Sequence, residues 1–93
     1  MADLFARAQE VVNEFGQSGQ KITNDQALEI YAFFKQGTTG DVNTSRPGMF
    51  DLKGKAKWDA WNAIKGLSQE EARGRYVQTA RSVLPPEWAS RIA

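Results

Sequence analysis

Tyr31 and Lys35 stand four residues apart, and Lys53, Lys55 and Lys57 alternate along a short stretch further on. On a helix the first two share a face. With Phe34 beside them they offer a phenol, an aromatic surface and several ammonium groups, a set suited to a phosphorylated aromatic ligand. Ammonium groups hold phosphate through charge-assisted hydrogen bonds, each about 1.5–3 kcal/mol net when partly desolvated. A ring can stack on a nucleobase for about 1–3 kcal/mol. Taken singly these residues carry little, because lysines on helices are ordinarily solvated surface and tyrosine at helical spacing is ordinarily core packing. Trp58 and Trp61, one turn apart, are read as core, since indole supplies large buried area. Gly40 and Gly48 form no phosphate-binding glycine fingerprint, and no Walker pattern occurs.

Other chemistries are narrowed by what the 93 residues omit. There is no histidine and no cysteine. Cys/His and Ser/His/Asp nucleophile systems and every histidine-based metal site therefore drop out, leaving carboxylate or lysine chemistry. A net charge of +1 argues against a broad basic surface for nucleic acid. Met1 to Val12 lacks a basic segment followed by an apolar run, so no secretory signal is expected. No stretch is apolar enough to span a bilayer, and Arg91-Ile92-Ala93 is not an address tag. Asn43-Thr44-Ser45 fits a glycosylation sequon but, without a signal peptide, is read as coincidence. The expected compartment is the cytosol.

The elements that must position these residues are helical. Leu4, Phe5, Ala8, Val11, Val12 and Phe15 follow helical spacing after Asp3 as cap, with Gly16 and Gly19 as the expected end. Thr23-Asn24-Asp25-Gln26 fits a capping box, with Ile22 and Ala27 as a hydrophobic staple. That helix carries Leu28, Ile30, Tyr31 and Phe34 and is expected to stop near Gly37. Thr38 to Met49 reads as a loop long enough to span a bundle, so the helices it joins need not be antiparallel neighbours. A third helix is expected from Lys53 to Lys65, closed by Gly66. A fourth opens at Ser68-Gln69-Glu70-Glu71, a second capping box, and presents Ala72, Tyr76, Ala80, Val83 and Leu84 inward. Pro85-Pro86 interrupts it, since neither proline offers an amide donor, and Pro86-Glu87-Trp88 starts one more short turn. The expectation is one all-α domain over residues 1–93, a helical bundle, with 41% apolar residues for a single core.

The run Gly40-Asp-Val-Asn-Thr-Ser-Arg-Pro-Gly-Met49, continuing to Gly54-Lys-Ala-Lys-Trp-Asp-Ala-Trp-Asn62, closely resembles the acyl-CoA-binding protein family. Tyr31-Ala-Phe-Phe-Lys-Gln36 resembles that family's tyrosine- and lysine-bearing helix, and Tyr76 stands where the family has a tyrosine on its last helix. The resemblance spans roughly Phe5 to Ala80. It implies a four-helix bundle of up-down-down-up topology with the long loop between helices 2 and 3. It implies that Lys35, Lys57 and Tyr31 hold the adenosine 3′-phosphate, that Phe34 lies against the adenine, and that Tyr76 supports that end. The acyl chain would run along Phe5, Ala8, Gln9, Ala27, Leu28 and Ala56. Phe5 and Leu28 are also natural core positions.

Several positions depart from the family's pattern. Phe34 replaces a common tyrosine, Asn13 stands where many members have a ligand-reaching lysine, and Gln17 to Gln20 lengthen the first loop. Pro85-Pro86 and the segment beyond them replace a lysine-rich helical tail. The resemblance implies non-catalytic carriage of long-chain acyl-CoA by a monomer, with no cofactor, handed to acyl-CoA-using enzymes, with transient membrane contact and no nucleic acid. Competing classes are an acyl-CoA hydrolase or isomerase using carboxylates, and a nucleic-acid module built on Lys53, Lys55 and Lys57.

Overall fold

The computed structural model describes residues 3–92. Asp3 accepts hydrogen bonds from the amides of Phe5 and Ala6 and starts α1 (Leu4–Gln17). Thr23 and Gln26 exchange both bonds of a capping box, 3.1 and 3.0 Å, at the start of α2 (Asn24–Thr38). Asp51 caps α3 (Leu52–Ala63) through the Gly54 amide. Ser68 caps α4 (Gln69–Val83) through the Glu71 amide, and α5 (Pro86–Ala89) is a single short helix after the proline pair. The described residues are otherwise turns and loops.

Side-chain pairs fix the helix directions. Tyr31 meets Lys57 and Lys35 meets Trp61, so numbers rise together and α2 runs parallel to α3. Glu29 meets Thr79, Phe34 meets Tyr76 and Gly37 meets Arg73, so α2 and α4 are antiparallel. Phe5 meets Arg73 and Tyr76, while Phe15 meets Trp88 just past α4, so α1 and α4 are parallel. The result is a four-helix bundle, up-down-down-up, with α2 packed on both α3 and α4 and α1 packed on α4. Its core joins Phe5, Ala8, Val11 and Phe15 to Ile30 and Phe33 and to Tyr76, Val77, Ala80 and Leu84.

Several local expectations change. Gly16 lies inside α1, and the left-handed residue at its end is Gly19. The second box is half made, because Glu71 turns away from the cap to pair with Arg75 at 3.0 Å. α2 ends at Thr38, beside Gly37 as expected, but the left-handed turn falls at Gly40, whose φ of +94° favours a residue without Cβ. The tail after Pro86 docks on α1. Trp88 meets Phe15 edge-on, Ile92 is buried, Arg7 Nε donates to Arg91 O at 2.9 Å, and Arg91 pairs with Glu14.

Gly37 owes its identity to close helix packing. A Cβ there would stand 3.0 Å from Arg73 Cγ and 3.2 Å from Phe5 Cζ, while Arg73 Nε donates to its carbonyl at 2.8 Å. Gly37→Val is therefore expected to cost about 1–3 kcal/mol by overpacking. Gly16→Ala should instead gain about 0.4–1 kcal/mol, since its Cβ meets nothing within 4 Å and the unfolded chain loses freedom. Urea denaturation of the two variants should move the midpoint in opposite directions.

Candidate functional site

Two cavities open along α2 and meet at Ala27 and Lys57. The first, about 390 Å³, lies between α1, α2 and α4. Val12, Ile22, Ile30 and Phe34 make its apolar walls, and Gln9, Asn13, Tyr31, Lys57 and Tyr76 bring polar atoms to it. The second, about 360 Å³, lies between the first turns of α2 and of α3, with Leu28, Leu52 and Ala56 as apolar walls and Asn24, Lys53 and Lys57 at the edge. One cavity is therefore aromatic and polar, the other mostly aliphatic, and one ammonium group stands at their junction. Neither wall contains an aspartate or glutamate.

Parallel packing of α2 on α3 brings the cations to this place. Lys57 Nζ lies 5.3 Å from the centroid of the Tyr31 ring, and Lys35 Nζ lies 5.0 Å from that of Trp61. Such contacts are worth about 0.5–1 kcal/mol at exposed sites, enough to orient the ammonium groups yet weak enough to yield to an anion. Among the described residues neither lysine is in an ion pair.

The long loop holds α3 in that register. Trp58 Nε1 donates to Thr44 O and Trp61 Nε1 to Gly40 O, both at 2.8 Å. Arg46 grips Asp59 with two bonds of 2.8 Å, which lowers the Asp59 carboxyl pKa and raises that of the guanidinium. Asp41 accepts from the Gly66 amide and from Gln36 Nε2, again 2.8 Å each, and these bonds hold its pKa below the usual carboxylate value. Gln36 also donates to Leu67 O, so the start of the long loop and the α3–α4 connection are tied to α2.

Tyr76 floors the first cavity from α4. Its ring meets Phe5 edge-on at 5.2 Å and Phe34 at 6.3 Å. Burial pushes the phenol up to about 12 from 10.0. Between those values the unfolded chain has lost the proton and the folded one keeps it, so stability falls as pH rises through the window. The expected loss is about 2–3 kcal/mol. Tyr76→Phe should lack that component when stability is followed from pH 9 to about 12.

Of the residues the sequence singles out, Gln9, Asn13, Ala27, Tyr31, Phe34, Lys57 and Tyr76 share the first cavity, and Ala27, Leu28, Ala56 and Lys57 share the second. Lys35 lines neither; it sits one turn beyond Tyr31 on the same seam, over Trp61. Phe5 and Ala8 are placed elsewhere: both are buried in the core, and neither forms a wall of these cavities. They face α4, where the Phe5 ring packs on Tyr76 beneath Arg73. Val12, Ile22, Ile30, Asn24 and Leu52 are walls that the sequence reading does not assign, and Lys53, named there only within the lysine cluster, joins the second cavity. Ile22 carries a signal, since a staple residue just ahead of a capping box must lie against the first turn of the next helix.

Comparison with known proteins fits this geometry. The family model described as "Acyl CoA binding protein" matches residues 2–80. Acyl-CoA-binding protein homolog 1 of Caenorhabditis elegans is 53% identical over 62 residues, covering 67% of this chain and 72% of that protein. An acyl-CoA-binding protein of Gossypium hirsutum is 44% identical over 77 residues, covering 75% and 86%. The crystal structure of the acyl-CoA-binding protein from Moniliophthora perniciosa superimposes with a TM-score of 0.81 at 40% identity, over 99% of this chain and 92% of that one. A family match across most of the chain, with a bundle of the same topology, makes this protein a member of the acyl-CoA-binding protein family.

Proposed function

We propose that this protein binds long-chain fatty-acyl-CoA esters and carries them unaltered, as a cytosolic monomer that needs no cofactor and hands its cargo to acyl-CoA-using enzymes. The observation that carries the reading is the junction at Lys57, where an aromatic, polar cavity runs into an aliphatic one. A ligand with a phosphorylated nucleotide at one end and an alkyl chain at the other matches both halves. Lys57, Lys35 and Tyr31 would take the 3′-phosphate, Phe34 the adenine face, and Ala27, Leu28 and Ala56 the chain.

Carriage without chemistry is supported by the surroundings of the ligand. Neither cavity offers a carboxylate base, the chain has no histidine or cysteine, and the Tyr76 phenol, neutral at ordinary pH, is moved further from ionising by burial. A hydrolase or isomerase reading that relies on a carboxylate therefore lacks its base there. Among the described residues no helix is long and apolar enough to cross a membrane.

The test has two arms. Palmitoyl-CoA at about a hundred times its Kd should stabilise the protein by about 2.7 kcal/mol, read as a higher melting temperature. Hours of incubation should release no free thiol above a buffer control. An unmoved melting curve would sink the binding claim, and thiol release proportional to protein concentration would sink the claim of carriage without chemistry.

A further inference from the structure

Past α4 the chain reverses. Leu84 and Pro85 are extended, with ψ of 147° and 152°, and Pro86 opens α5. Each proline has its φ preset, so much of the reversal is built in before the tail docks. The tail then runs along α1 in the opposite direction: Trp88 meets Phe15, Arg91 pairs with Glu14, and Arg7 Nε donates to Arg91 O. The Arg91 guanidinium also lies 4.7 Å from the centroid of the Trp88 ring, and Ile92 is 2% exposed. The tail is thus braced at both ends of a stretch of about two helical turns.

α1 stands between this tail and the first cavity. At 3.6 residues per turn, Gln9 and Asn13 project away from the side that carries Arg7 and Glu14. Gln9, Val12 and Asn13 are the walls that α1 gives to the first cavity, and it gives none to the second. α1 packs on α4 and α5 and, among the described residues, on neither α2 nor α3. It therefore faces Tyr31 and Phe34 only across the cavity, and α4 and the tail fix its distance from them. The tail's polar ties are half-exposed, so each is weak and the tail can open without the bundle unfolding.

We propose that residues 86–92 are a latch that sets how closely α1 approaches α2 over the first cavity, with Trp88 and Arg91 as positioning residues for the nucleotide end of the ligand. The docked tail holds Gln9, Val12 and Asn13 toward Tyr31 and Phe34; an open tail frees the second half of α1 and widens the cavity. The ligand in this proposal rests on the carrier reading. Coupling of this kind is reciprocal, so a ligand seated against α1 must close the tail by the factor with which the tail favours the ligand.

Hydrogen exchange on the parent chain reads one side of that cycle. Saturating palmitoyl-CoA should slow the amides of Ala89, Ser90 and Ile92, all hydrogen-bonded within the tail, by about tenfold, although the ligand touches none of them. Calorimetry reads the other side. Trp88→Ala should weaken palmitoyl-CoA and octanoyl-CoA by one common factor, again about tenfold, because α1 lines no part of the aliphatic cavity. Trp88→Phe keeps a ring against Phe15 and should bind both esters as the parent does. A tail that served only as a structural prop would lower the melting temperature and leave both affinities unchanged. Tail exchange indifferent to ligand, or an unaltered Kd in folded Trp88→Ala, overturns the latch while the carrier reading stands. A loss confined to the longer ester also overturns it, since the tail would then act at the second cavity. Should Trp88→Ala not fold, the exchange experiment on the parent chain decides. A parent chain that binds neither ester removes the carrier reading, and the latch falls with it.

Discussion

Palmitoyl-CoA is expected to bind many orders of magnitude more tightly than free coenzyme A, with affinity climbing along a saturated series from short to long acyl esters. Each methylene moved from water onto apolar walls gains up to about 0.8 kcal/mol, close to a fourfold change in Kd. From a butyryl to a palmitoyl ester the gross gain is on the order of 10 kcal/mol before the chain's ordering is charged against it. The observed slope should be shallower, because the aliphatic cavity is an open groove between half-buried Leu28 and Ala56 and exposed Leu52. The rise should level off once the chain outgrows that groove. Free palmitate should also bind weakly, since it leaves Lys57, Tyr31 and Phe34 without a partner. Titration calorimetry across the series reads all of this. A flat profile would mean that the aliphatic cavity takes no part, and palmitate binding as tightly as its CoA ester would remove the head-group site.

How far sequence alone reached depended on whether a residue's role is local. Asp3, Thr23 with Gln26, and Ser68 act within three residues of themselves, and each caps its helix in the structure. The long loop between α2 and α3 was legible for the same reason. Glu71 could not be resolved this way, because its pairing with Arg75 one turn on is as local as the cap it abandons. Gly37 marks the end of α2 in the sequence, but its packing role depends on Arg73, 36 residues away. Phe5 and Ala8 meet the same limit: a helical stripe tells which face is apolar, not whether another helix or a groove covers it. Tyr31, Phe34 and Lys57 stood out by residue type, but their roles and that of Tyr76 came through the family resemblance, and no spacing rule would have paired Tyr31 with a lysine 26 positions on. The docked tail was out of reach, since Trp88 and Ile92 gain meaning only from Phe15 and the α1 surface.

Replacing both seam lysines, Lys35→Ala with Lys57→Ala, is expected to weaken palmitoyl-CoA binding by about 3–6 kcal/mol, twice the usual range for one charge-assisted contact if the two add. In the free protein these ammonium groups rest on Tyr31 and Trp61 and form no ion pair among the described residues. A bound phosphate could therefore draw them off aromatic faces at a cost of only about 0.5–1 kcal/mol each. The same weak contacts imply that the double variant folds with little loss of stability, so reduced binding would report on the ligand. With the 3′-dephospho ester the lysines should matter far less, because their partner is already gone. The ligand thus supplies one of the two deletions of a double-mutant cycle. Leu28→Ala serves as the contrasting arm. It trims the wall of the aliphatic cavity and should weaken both esters equally, since removing a phosphate leaves the acyl chain untouched. Lys57 lines both cavities and Lys35 neither, so Lys57→Ala alone should account for the larger share of the loss. Equal losses with both esters would assign the lysines to general electrostatics and move the phosphate elsewhere. No loss with either would leave them as solvated surface.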